Sequence, residues 1–161
     1  MPPNPFWVNR FNMLKLIYSM SELDADQLLA VYCEHNWNEI DFLSYLREDF
    51  FCQRGAFYAV WSEDSVYKSA VRLEPYRDGL LLHALETAPA DRRNGYSYQL
   101  LTHTLDYLRT IKCKAVYSHI EKRNKPSFAL HKKCGFKIIS DSATYLDGTV
   151  TQYSNTFRIC L

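Results

Sequence analysis

The sequence lacks three features that would quickly assign it to a class of protein. It has no excess of one charge, since 19 Lys and Arg oppose 18 Asp and Glu, whereas proteins that bind nucleic acid or anionic membranes usually carry a basic excess. It has no apolar run near the roughly 20 residues that cross a bilayer. Its first residues, MPPNPFW, lack the charged and apolar parts of a signal peptide. We therefore expect a soluble cytoplasmic protein that binds neither nucleic acid nor membrane.

The cysteines and histidines also lack a recognisable pattern. The five cysteines are an odd number and are scattered without the CxxC spacing of a zinc site or the density of a disulfide framework. His35, His103 and His119 form no ligand spacing with a cysteine or an acid, so we expect reduced thiols and no metal site. Cys134 has no His and acid pattern of its own, which favours a small core residue over a nucleophile.

The order of apolar runs predicts one α/β domain spanning residues 1–161. A strand at 13–18 precedes two helices, the first capped by Ser21 and the second beginning near Asn38. Strand-like runs at 56–61, 65–74 and 80–88 are joined by short polar turns, which implies an antiparallel meander. The remaining predicted elements are a helix at 95–111, a strand at 115–120, a helix from Asn124 to Gly135, and strands at 136–140 and 149–159.

Charge is distributed unevenly along the chain although the total is nearly balanced. Residues 21–49 carry eight acids and one base, and residues 91–137 carry eleven bases and three acids. The pattern favours a solvated helix face for each single run, although a segment of one sign is also able to focus an electrostatic field on a ligand.

The most informative stretch is the loop RRNGYS at 92–97, which runs from a predicted strand directly into a predicted helix. Backbone N–H groups at the start of a helix, reinforced by the helix dipole, form a site for phosphate oxygens. Gly95 would allow a phosphate to approach closely, although a glycine there also serves as a plain helix cap. The loop fits neither GxxxxGK[ST] nor GxGxxG, so ATP, GTP and NAD are poor candidate ligands.

Two motifs together resemble those of the GNAT superfamily of acetyl-coenzyme A-dependent N-acetyltransferases. RRNGYS, preceded by TAP at 87–89, is similar to the family's Arg/Gln-x-x-Gly-x-Gly/Ala loop, and Ser97 departs from the usual Gly or Ala. Asn124, Ser127 and the CGF sequence at 134–136 resemble the second family motif. The resemblance covers nearly the whole chain and implies a single-domain GNAT-like fold, with a mixed, mostly antiparallel sheet flanked by helices.

The resemblance also implies how acetyl-coenzyme A would bind. The strand before the loop would separate from its neighbour, so that backbone groups of Leu85 and Thr87 pair with the pantetheine arm as an added strand would. The Thr87 N–H would polarise the thioester carbonyl. The expected cofactor-binding residues are Leu85, Thr87, Arg92, Arg93, Asn94, Gly95, Tyr96, Ser97, Asn124 and Ser127.

Two histidines are candidate catalytic residues. His131 stands where many family members have a tyrosine that protonates the departing thiolate, and histidine is also able to donate a proton near neutral pH. His83 resembles in position a histidine of the acceptor cleft in arylalkylamine acetyltransferases, and a base there would deprotonate the amine. Strand parity places His83 on the face of Leu85 and Thr87 and places Glu86, the competing base, on the other face. A purely structural role remains open for both histidines.

The expected reaction is transfer of an acetyl group from acetyl-coenzyme A to a primary amine by direct attack in a ternary complex. The acceptor would be a small-molecule or peptide amine, and the acidic segment 21–49 favours a cationic one. The alternative is a coenzyme A-binding sensor or interaction module without activity, because intact loop residues fit both functions. RNA binding is disfavoured because aromatic residues do not interleave with the basic segment. A homodimer is left open.

Overall fold

A computed structural model describes residues 13–161, so the expectation about the first residues, MPPNPFW, lies outside the described part. In that part no helix has the length and apolar character needed to cross a membrane. The described residues form a seven-stranded sheet, a two-stranded hairpin and four helices. This arrangement confirms the predicted α/β fold with a mixed, mostly antiparallel sheet.

The main sheet has the strand order β1-β2-β3-β4-β5-β9-β6. All neighbouring strands are antiparallel except β4 and β5, which are parallel. The predicted meander is confirmed in β2, β3 and β4. The strand bounds are β1 Leu14–Ile17, β2 Phe57–Glu63, β3 Val66–Tyr76, β4 Gly79–Thr87, β5 Ala115–Glu121, β6 Lys137–Ser140, β7 Ala143–Thr144, β8 Val150–Thr151 and β9 Ser154–Cys160.

The helices begin at side-chain caps that the sequence identifies in part. Asn38 and Asn124 accept hydrogen bonds from N–H groups of the following turn, as expected of N-caps. The prediction for Ser21 is wrong, because Ser21 lies in a short 3-10 turn and Asp24 caps the helix by accepting from Gln27 N at 3.1 Å. The helix bounds are α1 Ala25–Val31, α2 Glu39–Ser44 with a π-helical extension Tyr45–Phe50, α3 Tyr96–Thr110 and α4 Lys125–Lys133.

The run at 149–159 is not the single strand predicted for it. It divides into β8, which pairs with β7 across the turn at Asp147 and Gly148, and the long strand β9. The reason is local, because Thr151 Oγ1 accepts a hydrogen bond from Tyr153 N at 3.2 Å. Such a side-chain bond offers the backbone an alternative to the strand ladder.

Two apolar cores lie on opposite faces of the sheet. Successive residues of β2 point into the two cores in turn. Phe57 and Ala59 belong to one core, and Tyr58 and Val60 belong to the other. The first core packs under α3 and α4, and the second packs under α1 and α2. At the start of α2, Ile40 does not pack into the second core, because it is 76% exposed.

The parallel strands β4 and β5 stay together only at one end. Leu80, Leu81 and Leu82 pair with residues 116–118, and beyond Leu82 the two strands no longer pair. At the paired end the backbones meet closely at Gly79, where an added Cβ would lie 1.9 Å from the carbonyl oxygen of Ala115. A side chain at that position would therefore push the two strands apart.

We expect Gly79→Ala to lower the free energy of unfolding by about 3 kcal/mol, because the clash is with backbone that cannot rotate away. Gly148→Ala is the matched control, since Gly148 has a φ of +84° and nothing within 4 Å of an added Cβ. It should cost only about 1 kcal/mol. Urea unfolding of the two variants makes the comparison, and equal losses would contradict the close approach.

Candidate active site

A cleft opens where β4 and β5 separate. It has a volume of about 180 Å³ and is closed on its third side by the start of α4. Backbone and side chains of β4 form one wall, and β5 forms the other. The lining residues are Leu82, His83, Ala84, Leu85, Glu86, Ser118, His119, Ile120, Glu121, Asn124, Ser127 and His131.

A β-bulge at Ala84 bends β4 away from β5. Arg72 of β3 lies opposite His83 while Ala70 lies opposite Glu86, so β4 holds one residue more than β3 over this stretch. Ala84 has a φ of +52°, a left-handed conformation that is costly for a residue with a Cβ. Tyr32, which is buried, donates a hydrogen bond from its hydroxyl to the Ala84 carbonyl at 2.6 Å. This bond from the residue that follows α1 holds the left-handed turn in place.

The bulge makes the predicted strand parity wrong for His83, whereas Glu86 lies on the face opposite Leu85 and Thr87 as predicted. His83 contacts Arg72 and Glu86 contacts His35, both on the side of α1 and α2. Leu85 packs into the core on the opposite side, and Thr87 bonds there to Ser97. His83 and Glu86 thus share one face, because the extra residue shifts the alternation by one.

Backbone groups of β4 beyond the bulge face the open cleft. Ala88 N donates to Lys68 O on β3 at 2.9 Å, so the backbone groups of Thr87 point to the other edge of the strand. The same alternation points those of Leu85 to that edge. Because β5 has diverged, this edge is free to pair with an extended ligand, as the sequence predicts for Leu85 and Thr87.

The loop at 92–97 brings free N–H groups to the same end of β4. Gly95 is the N-cap of α3 with a φ of +78°, and no side chain of the described residues caps the helix there. An added Cβ at Gly95 would meet nothing within 4 Å. Asn94 holds the loop shape by donating from Nδ2 to Asp91 O at 2.9 Å. The first N–H groups of this 15-residue helix are therefore available to an anion.

The other predicted loop residues hold the loop in place. Arg92 forms a two-pronged ion pair with Glu34, at 2.6 and 3.3 Å, which joins the loop to the segment after α1. Tyr96 donates its hydroxyl hydrogen to Glu63 at 2.9 Å. Ser97 Oγ lies 2.6 Å from Thr87 Oγ1, so the small side chain ties the start of α3 directly to β4. Arg93 is exposed.

His131 is buried beside Phe136 and Phe157, and its ring borders the cleft. Its Nδ1 lies 2.8 Å from the carbonyl oxygen of Ser127, so Nδ1 carries the hydrogen. Nε2 then has a lone pair and no partner among the described residues. Burial lowers the pKa of His131, which favours the neutral ring. This arrangement argues against the proton-donor role expected from the sequence.

His83 is held by two neighbours. Its Nδ1 lies 3.2 Å from Arg72 Nη2, and because a guanidinium only donates, Nδ1 is the acceptor. Nε2 lies 3.0 Å from Glu74 Oε1, and the contact with His83 holds the pKa of Glu74 below its ordinary value. The lone pair needed by a general base is thus already engaged.

His119 of β5 is a cleft residue that the sequence analysis missed. Tyr76 donates its hydroxyl hydrogen to Thr144 O, so the 3.5 Å contact with His119 Nε2 requires a hydrogen on Nε2. Nδ1 therefore has a free lone pair, with no partner among residues 13–161. Burial, helped by the nearby His83, lowers the pKa of His119 to about 4. In the same residues no three His, Cys, Asp or Glu side chains are grouped so as to hold a metal ion.

A second pocket of about 220 Å³ adjoins the cleft at Ala84. Aromatic side chains form most of its wall, and Arg72 supplies a positive charge. Its lining residues are Tyr32, His35, Trp37, Phe42, Tyr58, Arg72 and Ala84. None of the eight acids of the segment 21–49 lines this pocket. Asp24 instead caps α1 and Glu34 pairs with Arg92, so the reason given above for a cationic acceptor does not hold.

Sequence signals for the missed residues existed but were weak. Arg72 stands directly between the apolar residues Val71 and Leu73 of β3, which indicates a partner or a ligand at the sheet face. His119 shares a strand face with Tyr117, and pairing of β5 beside β4 brings it near His83. Both signals require the strand pairing to be known first.

The solved structures most useful for comparison are N-acetyltransferases, and each is similar in fold to this chain. The ribosomal-protein-S18-alanine N-acetyltransferase of Escherichia coli is 15% identical, with 92% of this chain and 94% of that chain covered and a TM-score of 0.66. The ribosomal-protein-alanine N-acetyltransferase of Brucella melitensis is 18% identical, with 91% and 99% covered and a TM-score of 0.68. PaiA N-acetyltransferase of Thermoplasma acidophilum, in complex with coenzyme A, is 14% identical, with 92% and 99% covered and a TM-score of 0.64.

Sequence comparison assigns the family. No curated protein sequence matches the chain significantly. The family model described as acetyltransferase (GNAT) family matches residues 18–136, which include β2 to β5, all four helices and every residue that lines the cleft. The chain therefore belongs to the acetyltransferase (GNAT) family.

Proposed function

We propose that the protein transfers an acetyl group from acetyl-coenzyme A to a primary amine by direct attack in a ternary complex. The observation that carries the proposal is the opening between β4 and β5, a cleft lined by two histidines that each have a ring nitrogen without a partner among the described residues. The uncapped start of α3 lies at the same end of β4. The bound coenzyme A of the Thermoplasma acidophilum relative supports the choice of cosubstrate.

The residues present fit acetyl-coenzyme A. The N–H groups of the 92–97 loop would hold the phosphates, since they lie at the positive end of α3. Backbone groups of Leu85 and Thr87 would pair with the pantetheine arm, and Asn124 and Ser127 border the cleft from the side of α4. When bound, the cosubstrate supplies a thioester carbonyl for attack and a thiolate leaving group. The Thr87 N–H would stabilise the negative charge that develops on the carbonyl oxygen.

His119 is the residue we propose to take the proton from the attacking amine. His119 lines the cleft, its Nδ1 has no partner among the described residues, and with a pKa of about 4 the ring is neutral at physiological pH. A bond forms between the amine nitrogen and the acetyl carbon while the carbon–sulfur bond breaks. An acceptor that arrives as ammonium first releases one proton to solvent, because only the neutral amine attacks. The proton that leaves the nitrogen on attack goes to His119 and is passed to the sulfur directly or through solvent. Glu86 borders the same cleft and would attract the ammonium form of the acceptor.

His83 and His131 receive other roles in this proposal. His83 positions Arg72 and Glu74 because both of its nitrogens face those side chains. His131 would keep a neutral ring beside the cleft and fill the space beside Phe136 and Phe157. The two unpartnered lone pairs favour an active enzyme over a coenzyme A-binding module without activity.

The first prediction for this function concerns the phosphate loop. Gly95→Glu should weaken acetyl-coenzyme A binding at least about 10-fold, because it adds bulk and negative charge where the phosphates would lie. Gly148→Glu is the matched control. That glycine also has a positive φ and nothing within 4 Å of an added Cβ, but it lies in the β7–β8 turn. Isothermal titration calorimetry measures both affinities. If the two folded variants bind equally well, the loop is only a helix cap.

The second prediction separates the histidines. His119→Ala should lower kcat by about 10²- to 10⁴-fold while acetyl-coenzyme A still binds, and the loss should shrink at high pH, where amines deprotonate themselves. His103→Ala on α3 is the control and should keep the wild-type rate. Formation of N-acetylated amine is followed by mass spectrometry over a panel of primary amines. A wild-type rate in His119→Ala at pH 7 would exclude the ring as the base.

The third prediction concerns stability and pH. Burial lowers the pKa of His131, so the folded protein binds fewer protons there than the unfolded chain, whose histidine pKa is about 6.5. As the pH falls below about 6.5, the unfolded chain takes up a proton on this histidine more readily than the folded protein does. The free energy of unfolding therefore decreases as the pH falls through this range. His131→Phe should therefore lose less stability than the wild type between pH 7 and pH 5, measured by urea unfolding. Parallel pH dependences would mean that the ring is not held neutral.

A further inference from the structure

The pocket beside the bulge has a size and lining that select among primary amines. Its volume is about 220 Å³, and an apolar cavity of about 150 Å³ is known to hold a benzene ring. Tyr32, Phe42 and Tyr58 are buried in its wall, whereas Trp37 is 41% exposed and stacks on Tyr45 with ring centroids 5.5 Å apart. The pocket therefore accommodates one aromatic ring with a few additional atoms.

Arg72 gives this aromatic pocket a permanent positive charge. Its guanidinium lies over the Tyr45 ring, donates one hydrogen bond to the Tyr45 hydroxyl and another to His83 Nδ1, and leaves Nε without a partner. Among residues 13–161 no carboxylate oxygen lies within 4 Å of it. A partly buried guanidinium with spare donors favours an incoming anion, and its planar fork matches a carboxylate.

The opposite charge lies at the exit from the pocket. Glu86 borders the cleft just beyond Ala84, where its Oε1 is 2.9 Å from His35 Nε2. The site thus has the Arg72 cation in the pocket and the Glu86 carboxylate at the cleft, where acetyl transfer is proposed. This order matches a molecule whose own carboxylate enters the pocket and whose ammonium group stays at the cleft.

We propose that the acceptor is a free aromatic α-amino acid, with its carboxylate on Arg72, its ring against the aromatic wall and its amine directed past Ala84 into the cleft. The charges must be close together in the acceptor, because Arg72 Nη2 is only 3.2 Å from His83 Nδ1 and His83 itself borders the cleft. This inference rests on the proposed acetyl transfer. The products are an N-acetyl amino acid and coenzyme A. Of the two protons that the ammonium group loses, one goes to solvent and the other to the sulfur.

The experiment compares acceptors that differ in one group. L-phenylalanine, phenethylamine and L-alanine are offered with acetyl-coenzyme A, and kcat/KM is measured for each with the wild-type protein. We expect L-phenylalanine to exceed phenethylamine, which lacks the carboxylate, and L-alanine, which lacks the ring, each by about 10- to 100-fold. Equal or better use of phenethylamine would overturn the proposal.

Two variants test the contact itself. Arg72→Gln should lower kcat/KM for L-phenylalanine by about 10- to 100-fold and leave phenethylamine unchanged or improved, because only the first acceptor loses an ion pair. Arg109→Gln, which removes an exposed pair with Asp106 on α3, should change neither value. An equal loss for both acceptors in a folded Arg72→Gln protein would contradict carboxylate recognition.

A binding measurement separates this inference from the proposed function. L-phenylalanine and phenethylamine are titrated into protein saturated with coenzyme A. One outcome is that L-phenylalanine binds more tightly than phenethylamine, that Arg72→Gln removes this difference, and that L-phenylalanine is never acetylated. In that case the pocket assignment stands and acetyl transfer to L-phenylalanine fails. If amines are acetylated but L-phenylalanine neither binds preferentially nor reacts preferentially, acetyl transfer stands and the pocket assignment fails.

Discussion

The separation of β4 from β5 is the constraint on which the rest of the site depends. Close backbone contact at Gly79 holds the strands together at one end, and the bulge at Ala84 directs them apart at the other. The bulge requires a left-handed backbone that alanine does not favour, and the hydrogen bond from Tyr32 holds it in place. Because Tyr32 belongs to the segment after α1, packing of the first two helices against the sheet also shapes the cleft.

The acidic and basic segments of the chain do not act as separate charged surfaces, because residues of one segment pair with residues of the other. Glu34 of the acidic segment is neutralised by Arg92 of the basic segment, and this pair joins the phosphate loop to the helices that cover the second pocket. The positive end of α3 and the guanidinium of Arg72 remain available for anions on two sides of the cleft. Total composition, which is nearly neutral, does not reveal either of them.

Features fixed by local chemistry could be predicted from the sequence, whereas features fixed by distant contacts could not. Asn124 as a cap and Gly95 in a left-handed conformation follow from their own residue types and neighbours. The bulge at Ala84 depends on a tyrosine 52 residues away, so strand parity wrongly placed His83 on the face of Leu85 and Thr87. His119 was missed for the same reason, because its position relative to His83 depends on which strands pair.

The most direct test of this account is amide hydrogen exchange of the backbone N–H groups along β4, measured by NMR with and without acetyl-coenzyme A. If the separated strand pairs with the pantetheine arm, the amides of Leu85 and Thr87 exchange quickly in the free protein and become protected when the cosubstrate binds. The amides of Leu81 and Leu82, which lie in the part of β4 already paired with β5, should change little. Binding of acetyl-coenzyme A without protection at Leu85 and Thr87 would contradict the account.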